Sequence, residues 1–471
     1  MAKALTPDIC VIGGGTGGLA VAMGAAAYGV DVVLVDRPAA GGRACLAHAA
    51  LNAAARQAQA IRDAARFGLA ESDPEIDFKA VMSGVRDVVA GATPAFSTER
   101  LATLGVTVIR EEARFTGRRR LLAGDTEIRA RRYVLATGSS AVVPEIPGLD
   151  EIGGLNADTV LDLDRRPAHL IIVGGDASAL ELAQTFRRLG SQVTVLAEGS
   201  LVPREDPEMV AVLTRRLSAE GVTIREGVNV TAVERRGKTS VRVLVATGEG
   251  AEPDEIDGSH LMTAAGRTPD VAALDLKKAR VALRDGVVDV SAMLRTTNRR
   301  IYAIGGVAGA DTVQAARHQA GLVLKALLFR LPAKDRAIVP RLVGADPELA
   351  SVGLTEAEAA RRHRRLTILR WPYAENDRAR AERKTDGHVK LVVARDGELL
   401  GVSIAGANAS EMIGIWALAL AKRLGLNEMA ASIPPYPTTA EIGKDAAIAY
   451  FAGRARRAPV RSMVRLLRMF G

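Results

Sequence analysis

A glycine-rich turn near the start of the chain has the residue types and spacing that bind a dinucleotide. The turn follows an apolar stretch from Ile9 to Ile12 and reads Gly13-Gly14-Gly15-Thr16-Gly17-Gly18. Glycines let the backbone turn tightly and approach a pyrophosphate, whose charge is stabilised by N–H groups at the N-terminus of the following helix. Asp36 ends the next apolar run, 23 residues after Gly13, where its carboxylate can accept both hydroxyls of an adenine ribose. The sequence therefore predicts a dinucleotide site here.

A second turn repeats the pattern with one conspicuous change. It reads Gly174-Gly175-Asp176-Ala177-Ser178-Ala179. Asp176 replaces the middle glycine, and a carboxylate near a pyrophosphate costs electrostatic energy unless its side chain turns away. Glu198, 24 residues after Gly174, is the candidate ribose acid and would favour NADH, because it repels the 2′-phosphate of NADPH. The alternative is that this domain persists as a scaffold without a cofactor.

Each turn lies within a strand–helix–strand unit, and the elements around them predict the architecture. The units run from Asp8 to Asp36 and from His169 to Glu198. Short apolar runs at 133–136 and 301–304 are each followed by glycine or Thr-Gly, as expected of strands that end at a ligand crevice. Beyond Pro340, strands at 390–394 and 399–404 and a helix at 411–424 indicate an α+β domain. The predicted fold class is α/β, with two Rossmann-like dinucleotide-binding domains and a C-terminal α+β domain.

Composition narrows the functional classes. The 471 residues are 48% apolar, enough for about three domains. The chain has two cysteines, Cys10 and Cys45, and its start lacks the apolar region of a signal peptide, so we expect a cytoplasmic protein. The net charge is +9, but no basic segment is interleaved with aromatic residues and no zinc-ligand spacing occurs, which argues against nucleic acid as a partner.

The C-terminal tail concentrates positive charge. No acidic residue follows Asp445, and arginines at 454, 456, 457, 461, 465 and 468 alternate with apolar residues. If the tail is helical, it has one arginine-rich face and one apolar face. Such a helix either lies at a membrane surface, which would give peripheral membrane contact, or docks on its own domain.

Further motifs resemble those of the FAD-dependent pyridine nucleotide-disulfide oxidoreductases, the family of dihydrolipoamide dehydrogenase, mercuric reductase and soluble transhydrogenase. These motifs are Gly41-Gly42, Ala136-Thr137-Gly138, Gly266-Arg267-Thr268-Pro269, Leu294-Arg295-Thr296, Ile301-Tyr302-Ala303-Ile304-Gly305, Asp346-Pro347-Glu348, Val352-Gly353-Leu354-Thr355 and Asn376-Asp377-Arg378-Ala379. The resemblance implies an FAD-binding domain at 1–150 and 271–335, an NAD(P)-binding domain at 151–270 and a dimerisation domain with the basic tail at 336–471. It also implies a homodimer in which two subunits share each active site.

The same resemblance implies which residues contact the cofactors. For FAD these are the first turn, Asp36, Arg37, Gly42, Arg43, Ala113, Thr137, Gly138, Gly305 and Gly306, and for NADH or NADPH they are Gly174, Asp176, Ala179, Glu181 and Glu198. At the Gly306 position the family has an aspartate that binds the ribityl chain. A hydrogen bond to a charged acceptor, about 1.5–3 kcal/mol, is therefore missing, and weaker FAD binding is expected.

The redox disulfide of the family is missing from the sequence. The family's two cysteines fall on Ala44 and Ala49, and its flavin-contacting lysine falls on Ala53. Cys45 is one residue out of register, and a single thiol cannot run a dithiol–disulfide cycle. Cys45, His48 and Asn52 share one helix face, on which His48 is the candidate for proton transfer to an acceptor. The alternative is that this face is only core or subunit contact.

A C-terminal stretch, Pro435 to Glu441, resembles the active-site segment that the family's partner subunit supplies. Tyr436 stands where thiol-cycling members have a histidine base, and Glu441 lies five residues further on. Tyr436 either hydrogen-bonds an acceptor oxygen or packs at the dimer interface. No cysteine follows Cys45, which argues against mercury as substrate because mercuric reductases carry a C-terminal cysteine pair.

Two hypotheses of different classes follow. The first is an FAD-dependent NAD(P)H oxidoreductase that passes electrons to a small-molecule, non-disulfide acceptor such as a quinone, with a nicotinamide nucleotide transhydrogenase as its variant. The second is a catalytically degenerate flavoprotein with a binding or scaffold role.

Overall fold

The computed structural model describes residues 3–37, 44–237, 240–248, 252–310, 312–455 and 458–470. The first stretch of chain forms β1 Lys3–Leu5, β2 Ile9–Ile12, α1 Thr16–Ala26, β3 Val32–Val35, α2 Ala44–Arg62, α3 Phe78–Ala92, α4 Thr98–Thr103, β4 Val106–Ile109, β5 Ala113–Gly117, β6 Arg120–Ala123, β7 Thr126–Ile128, β8 Arg132–Leu135 and β9 Ser139–Ala141. The second forms α5 Leu149–Ile152, β10 Leu155–Asn156, β11 His169–Val173, α6 Ala177–Arg188, β12 Gln192–Ala197, α7 Pro207–Ala219, β13 Val222–Glu226, β14 Asn229–Arg236, β15 Ser240–Ala246, β16 Asp254–Gly258, β17 His260–Thr263 and β18 Arg267–Pro269.

The rest of the chain first returns to the opening domain and then builds a third. The returning stretch forms β19 Leu283–Arg284, β20 Val287–Val288, β21 Ile301–Ala303 and α8 Val313–Leu328. The third domain and tail form β22 Arg341–Val343, β23 Glu348–Gly353, α9 Glu356–Ala360, β24 Leu366–Pro372, α10 Asp377–Ala381, β25 His388–Ala394, β26 Leu399–Gly406, α11 Ala409–Lys422, α12 Leu426–Ala431, α13 Glu441–Ala455 and α14 Ala458–Leu467.

Two parallel sheets carry the two glycine turns. The first has the strand order β21-β8-β2-β3-β4 and the second the order β10-β17-β11-β12-β13. Every residue of β2 and of β3 is buried, because the faces of a parallel sheet are both covered. The pairing of β21 with β8 brings residues 301–303 back to the first sheet. Both turns follow the carboxyl end of a central strand, which is where open α/β sheets bind their ligands.

The third domain is built on a five-stranded antiparallel sheet, in which the strand order is β22-β23-β26-β25-β24. The sheet packs against α11 and α13 through a core that includes Trp416 and Ile442. The fold class predicted from the sequence is confirmed: two dinucleotide-binding domains of Rossmann type precede an α+β dimerisation domain. The exact domain bounds stay a prediction.

Helices α2 and α3 join the second domain rather than the first sheet. Leu51 of α2 and Phe78 of α3 share one core with Phe186 of α6, and the rings of Phe78 and Phe186 lie 6.2 Å apart. Leu349 of β23 belongs to the same core. The helix that carries Cys45 and His48 is therefore fixed where all three domains meet.

Candidate functional site

The first glycine turn leaves a helix N-terminus free for an anion. Gly15 precedes α1, no side chain caps the helix there, and its first turn holds no acidic residue. A Cβ on Gly15 would meet nothing within 4 Å, whereas one on Gly18 would lie 1.9 Å from the carbonyl oxygen of Gly13. Gly13 itself has a φ of 106°, which only glycine adopts without strain. Thr16 and Gly17 form the first residues of α1, so the predicted residues of this turn lie together.

Asp36 closes the far side of this turn. It is buried, its Oδ1 accepts from the Gly14 N–H at 2.8 Å, and its Oδ2 accepts from Arg110 at 2.6 Å. An ionised carboxylate offers about four acceptor positions, so each oxygen keeps capacity for a ribose hydroxyl. Arg37, predicted to contact FAD, pairs with Asp270 at 3.3 Å, and Thr137 donates to the Asp270 carbonyl oxygen at 2.8 Å.

Ser139 lies beside Gly306, in the region predicted to contact the ribityl chain of FAD. A Cβ on Gly306 would lie 2.9 Å from the Ser139 hydroxyl, which itself accepts a hydrogen bond from Arg267 at 3.1 Å. An aspartate at 306 would therefore require Ser139 to move. The Gly305 N–H donates to the buried Gln319 side chain at 2.8 Å, which fixes the turn.

Two other predicted FAD contacts, Ala113 and Gly138, lie within the described residues. Ala113 is buried at the start of β5, and Gly138 lies between β8 and β9 with a φ of 78°. Gly42 and Arg43 lie outside the described residues, and so does Gly41 of the family-like motif. The roles of all these residues stay predictions.

The second turn differs from the first in its capping. Asp176 is the N-cap of α6: its Oδ1 accepts from the Ala179 N–H at 2.9 Å and from the Ser178 hydroxyl at 2.7 Å. Its side chain thus satisfies a donor that a pyrophosphate would use. Gly174 keeps the tight turn with a φ of 131°, and Glu198 is exposed just beyond β12. This cap is a physical reason to expect that Asp176 disfavours dinucleotide binding at the second turn.

On the predicted face of α2, the side chains of His48 and Asn52 form hydrogen bonds, whereas Cys45 is exposed. His48 Nε2 lies 2.6 Å from the carbonyl oxygen of Ala157, and Asn52 donates to the carbonyl oxygen of Gly344 at 2.6 Å. A carbonyl only accepts, so Nε2 carries the hydrogen and Nδ1 of the neutral ring is the free acceptor. Burial lowers the pKa of His48 from its ordinary value, which favours the neutral ring. His48 and Asn52 therefore make contacts between domains, in line with the structural alternative for this face.

Cys45 is exposed on the same helix, while Cys10 is buried within β2, and both thiols are free. Desolvation raises the pKa of the Cys45 thiol, with Arg267 acting in the opposite direction. The resemblance assigns the family's cysteines and lysine to Ala44, Ala49 and Ala53, which stays a prediction; Ala49 and Ala53 are exposed.

Glu181 of α6 has a backbone partner in place of a lysine. Its Oε1 accepts from the Gly344 N–H at 2.5 Å. Burial raises the pKa of Glu181, and the nearby Asp176 adds to the rise, while Gly344 and Arg56 oppose it. Arg56 of α2 also donates to the carbonyl oxygens of Gly344 and Ala345. The segment that leads into the third domain thus ties α2 to α6.

The C-terminal segment places Tyr436 beside an acid. The Tyr436 hydroxyl donates to Asp377 Oδ2 at 3.1 Å, and its side chain is 72% exposed. The hydrogen bond to Asp377 raises the pKa of Tyr436. Glu441 accepts from the Thr438 N–H at 3.1 Å at the start of α13. Tyr436 is therefore accessible, and its hydroxyl oxygen can accept a hydrogen bond from a further group.

A cavity of about 330 Å³ opens beside the N-terminus of α8. Its walls combine Thr312 and His318 from the first domain with Arg204 from the second and Arg341 from the third. Asp335 links the cavity to the Gly305 turn, because it accepts from Gln319 at 2.9 Å.

Sequence reasoning missed several of these partners. Arg110 had a usable signal, since it follows β4, and β4 is the parallel neighbour of β3, the strand that precedes Asp36. Asp377 and Gly344 had none, because they contact side chains 59 and 292 residues away in sequence.

Comparison with known proteins identifies the family that has this arrangement of domains. The model of the pyridine nucleotide-disulphide oxidoreductase family matches residues 7–320, and the dimerisation domain of that family matches residues 339–447. The chain belongs to this family. Its members bind FAD and take their electrons from NAD(P)H. The N-terminus of α1, which no side chain caps, suits the pyrophosphate of FAD, and its role in binding FAD stays a prediction.

Individual relatives span nearly the whole chain. A mercuric reductase of Streptomyces lividans is 34% identical over 459 residues, which cover 93% of this chain and 95% of that protein. A dihydrolipoyl dehydrogenase of Thermus scotoductus is 30% identical, with coverage of 93% and 95%. Among solved structures, the HOCl-induced flavoprotein disulfide reductase RclA of Escherichia coli superposes with a TM-score of 0.85 at 26% identity, covering 95% of this chain and all of that one.

Proposed function

We propose that the protein is an FAD-dependent NAD(P)H oxidoreductase that reduces a quinone-like acceptor without a protein dithiol. The observation that carries the proposal is the position of the two thiols: Cys10 is buried in a strand of the first sheet, whereas Cys45 is exposed on α2. With alanines at 44, 49 and 53, no second sulfur adjoins Cys45 on α2 to resolve a mixed disulfide. The overall change is NAD(P)H + H⁺ + quinone → NAD(P)⁺ + quinol.

Bound FAD supplies the two-electron chemistry that connects a hydride donor with such an acceptor. The residues of the chain hold and shape the site. The α1 N-terminus and Asp36 would hold the pyrophosphate and ribose of FAD, and the small exposed side chains of Ala49 and Ala53 would leave room for a planar molecule. His48, whose Nε2 is held by the Ala157 carbonyl oxygen, is the candidate for proton transfer to the acceptor through Nδ1.

The homodimer belongs to the same proposal. The dimerisation domain of the family is present, and it exposes Ile415 and Leu418 on α11 together with Ile433, which is 90% exposed. Apolar surface of this kind is typical of subunit interfaces. Each subunit then supplies Tyr436 and Glu441 to the site of the other. We also propose the domain bounds and the cytoplasmic location given by the sequence.

A scaffold role is the second candidate, and Asp176 favours it. Its carboxylate caps α6 at the position where the phosphates of NAD(P)H would lie. The sum of the losses at Ala44, Ala49, Ala53, Asp176 and Gly306 points the same way.

Anaerobic titration of the FAD-loaded protein with NADH and with NADPH separates the two candidates. The oxidoreductase proposal expects one nucleotide to bleach the visible flavin band stoichiometrically. Failure of both nucleotides to bleach it would reject the proposal and favour the scaffold.

A further inference from the structure

The C-terminal helix α14 is uncovered from Arg461 onward. Residues 461–470 are all exposed, and the apolar side chains among them include Met463 at 56%, Leu467 at 60% and Phe470 at 82%. The sequence left two alternatives for this tail, and the structure shows a helix over Ala458–Leu467 whose residues from 461 onward are not packed on the described part of its own domain. Exposed apolar residues in this number, next to one another, mark an interaction surface.

The cationic and the apolar side chains of the tail lie on opposite faces of the helix. At about 100° per residue, Arg461, Arg465 and Arg468 fall within one narrow arc of the helix. The backbone N–H of Arg468 bonds to the Val464 carbonyl oxygen, so the helical turn continues past Leu467. The opposite arc carries Met463, Leu466, Leu467 and Phe470. One face is therefore cationic and the other apolar.

Charge distinguishes the partner that this helix fits. No acidic residue follows Asp445, and among the described residues no ion pair involves the three arginines of the cationic face. A cationic face beside an apolar face matches the interface of an anionic bilayer, where acyl chains meet negatively charged headgroups. Ten helical residues are too few to cross a bilayer, and no helix within the described ranges is long and apolar enough to do so.

We propose that α14 lies in the surface of an anionic phospholipid membrane and holds the enzyme there. Its apolar side chains enter the headgroup boundary and its arginines bind lipid phosphates. Helix α13 connects the tail to Glu441 over 15 residues, a rise of about 22 Å, so the membrane-bound tail keeps the candidate site near the bilayer. The proposal does not depend on the identity of the electron acceptor.

Sedimentation with phospholipid vesicles tests this proposal. The full-length protein is mixed with vesicles of pure phosphatidylcholine and with vesicles that also contain phosphatidylglycerol. We expect binding to the anionic vesicles, loss of binding in L466E/L467E, and partitioning weakened by roughly 100-fold in R461S/R465S/R468S, because each arginine contributes about fivefold near an anionic surface.

Matched controls come from exposed residues elsewhere. L69E adds charge at an apolar residue that is 64% exposed, and R361S/R362S/R364S removes three charges from an exposed part of the dimerisation domain. Both should bind vesicles like the parent protein. The proposal is overturned if the parent does not sediment with anionic vesicles, if the controls lose binding as fully as the tail variants, or if L466E/L467E changes only the oligomeric state, which would identify a second subunit as the partner.

Discussion

At the scale of single residues, Asp176 is the main difference between the second glycine turn and the first. The first turn offers the unsatisfied donors of a helix N-terminus, whereas the second satisfies the Ala179 N–H with a carboxylate of its own. The same side chain stabilises α6 and repels phosphate. An N-cap acid contributes about 1 kcal/mol to helix stability, while a unit charge about 5 Å from a phosphate costs roughly 3 kcal/mol at an effective dielectric of about 20. The cap acts on folding and the repulsion acts on binding, so Asp176 is expected to stabilise α6 and to weaken nucleotide binding.

Replacing Asp176 with glycine should therefore tighten nucleotide binding. We expect the NADH dissociation constant of D176G to fall about tenfold, because solvent screens part of the charge, together with a small loss of stability. Calorimetric titration of the FAD-loaded protein measures the binding. D77G is the matched control, since Asp77 caps α3 through the Ala80 N–H in the same way but lies outside the turn. Equal NADH affinity in D176G and the parent would show that Asp176 does not restrict the site.

Residue types alone predicted where the glycine turns and the ribose acid lie, because backbone geometry and spacing determine those positions. They did not predict the direction of the Asp176 side chain, which depends on Ser178 and Ala179 together. Nor did they predict that Ser139 fills the space beside Gly306, since the two lie more than 160 residues apart. Long-range contacts of this kind decide the site but leave no local pattern.

At the scale of elements, helix α2 explains why the site spans several domains. Leu51 anchors it in the core of the second domain, and Asn52 binds the segment that leads into the third. Its periodicity predicted a helix with Cys45, His48 and Asn52 on one face, and the structure shows α2 over Ala44–Arg62. Which neighbours that face meets depends on packing among distant elements.

Ion pairs between α7 and the third sheet join the second and third domains. The buried Lys390 of β25 lies 2.7 Å from Asp206 and 2.8 Å from Glu208, and Arg370 of β24 donates to Glu208 at 2.6 Å. The hydrogen bond from Arg370, with that from Lys390, lowers the pKa of Glu208 from 4.5 to about 2 against the opposing effect of burial.

Because of these contacts, Glu208 should make the stability of the folded protein depend on pH in the acidic range. Because its folded pKa is lowered, it contributes stability above pH 4.5, and this contribution is lost as the pH falls from 4.5 towards about 2. We expect the melting temperature of the parent to fall more steeply than that of E208Q across this window, with the two converging at its acidic end. Thermal unfolding at a series of pH values measures this.

The exposed Glu71, replaced in E71Q, provides the comparison for that experiment. E71Q should follow the parent at every pH. Parallel curves for the parent and E208Q would mean that the contacts of Glu208 do not stabilise the folded protein.

At the scale of the whole molecule, the family architecture is retained, whereas the proposed chemistry does without the family's disulfide. The two dinucleotide-binding domains and the dimerisation domain match relatives along almost the full chain. The sequence resemblance places Ala44, Ala49 and Ala53 at the positions of the family's disulfide and lysine, which stays a prediction, and the tail is a basic amphipathic helix. The proposed enzyme, which would deliver electrons to an acceptor dissolved in a membrane with no disulfide as intermediate, rests on these two features.

The most direct measurement is the rate of NAD(P)H oxidation by one FAD-loaded preparation with two acceptors, a water-soluble quinone and a small organic disulfide. The account predicts rapid oxidation with the quinone and none above background with the disulfide. Oxidation that depends on the disulfide and not on the quinone would contradict it.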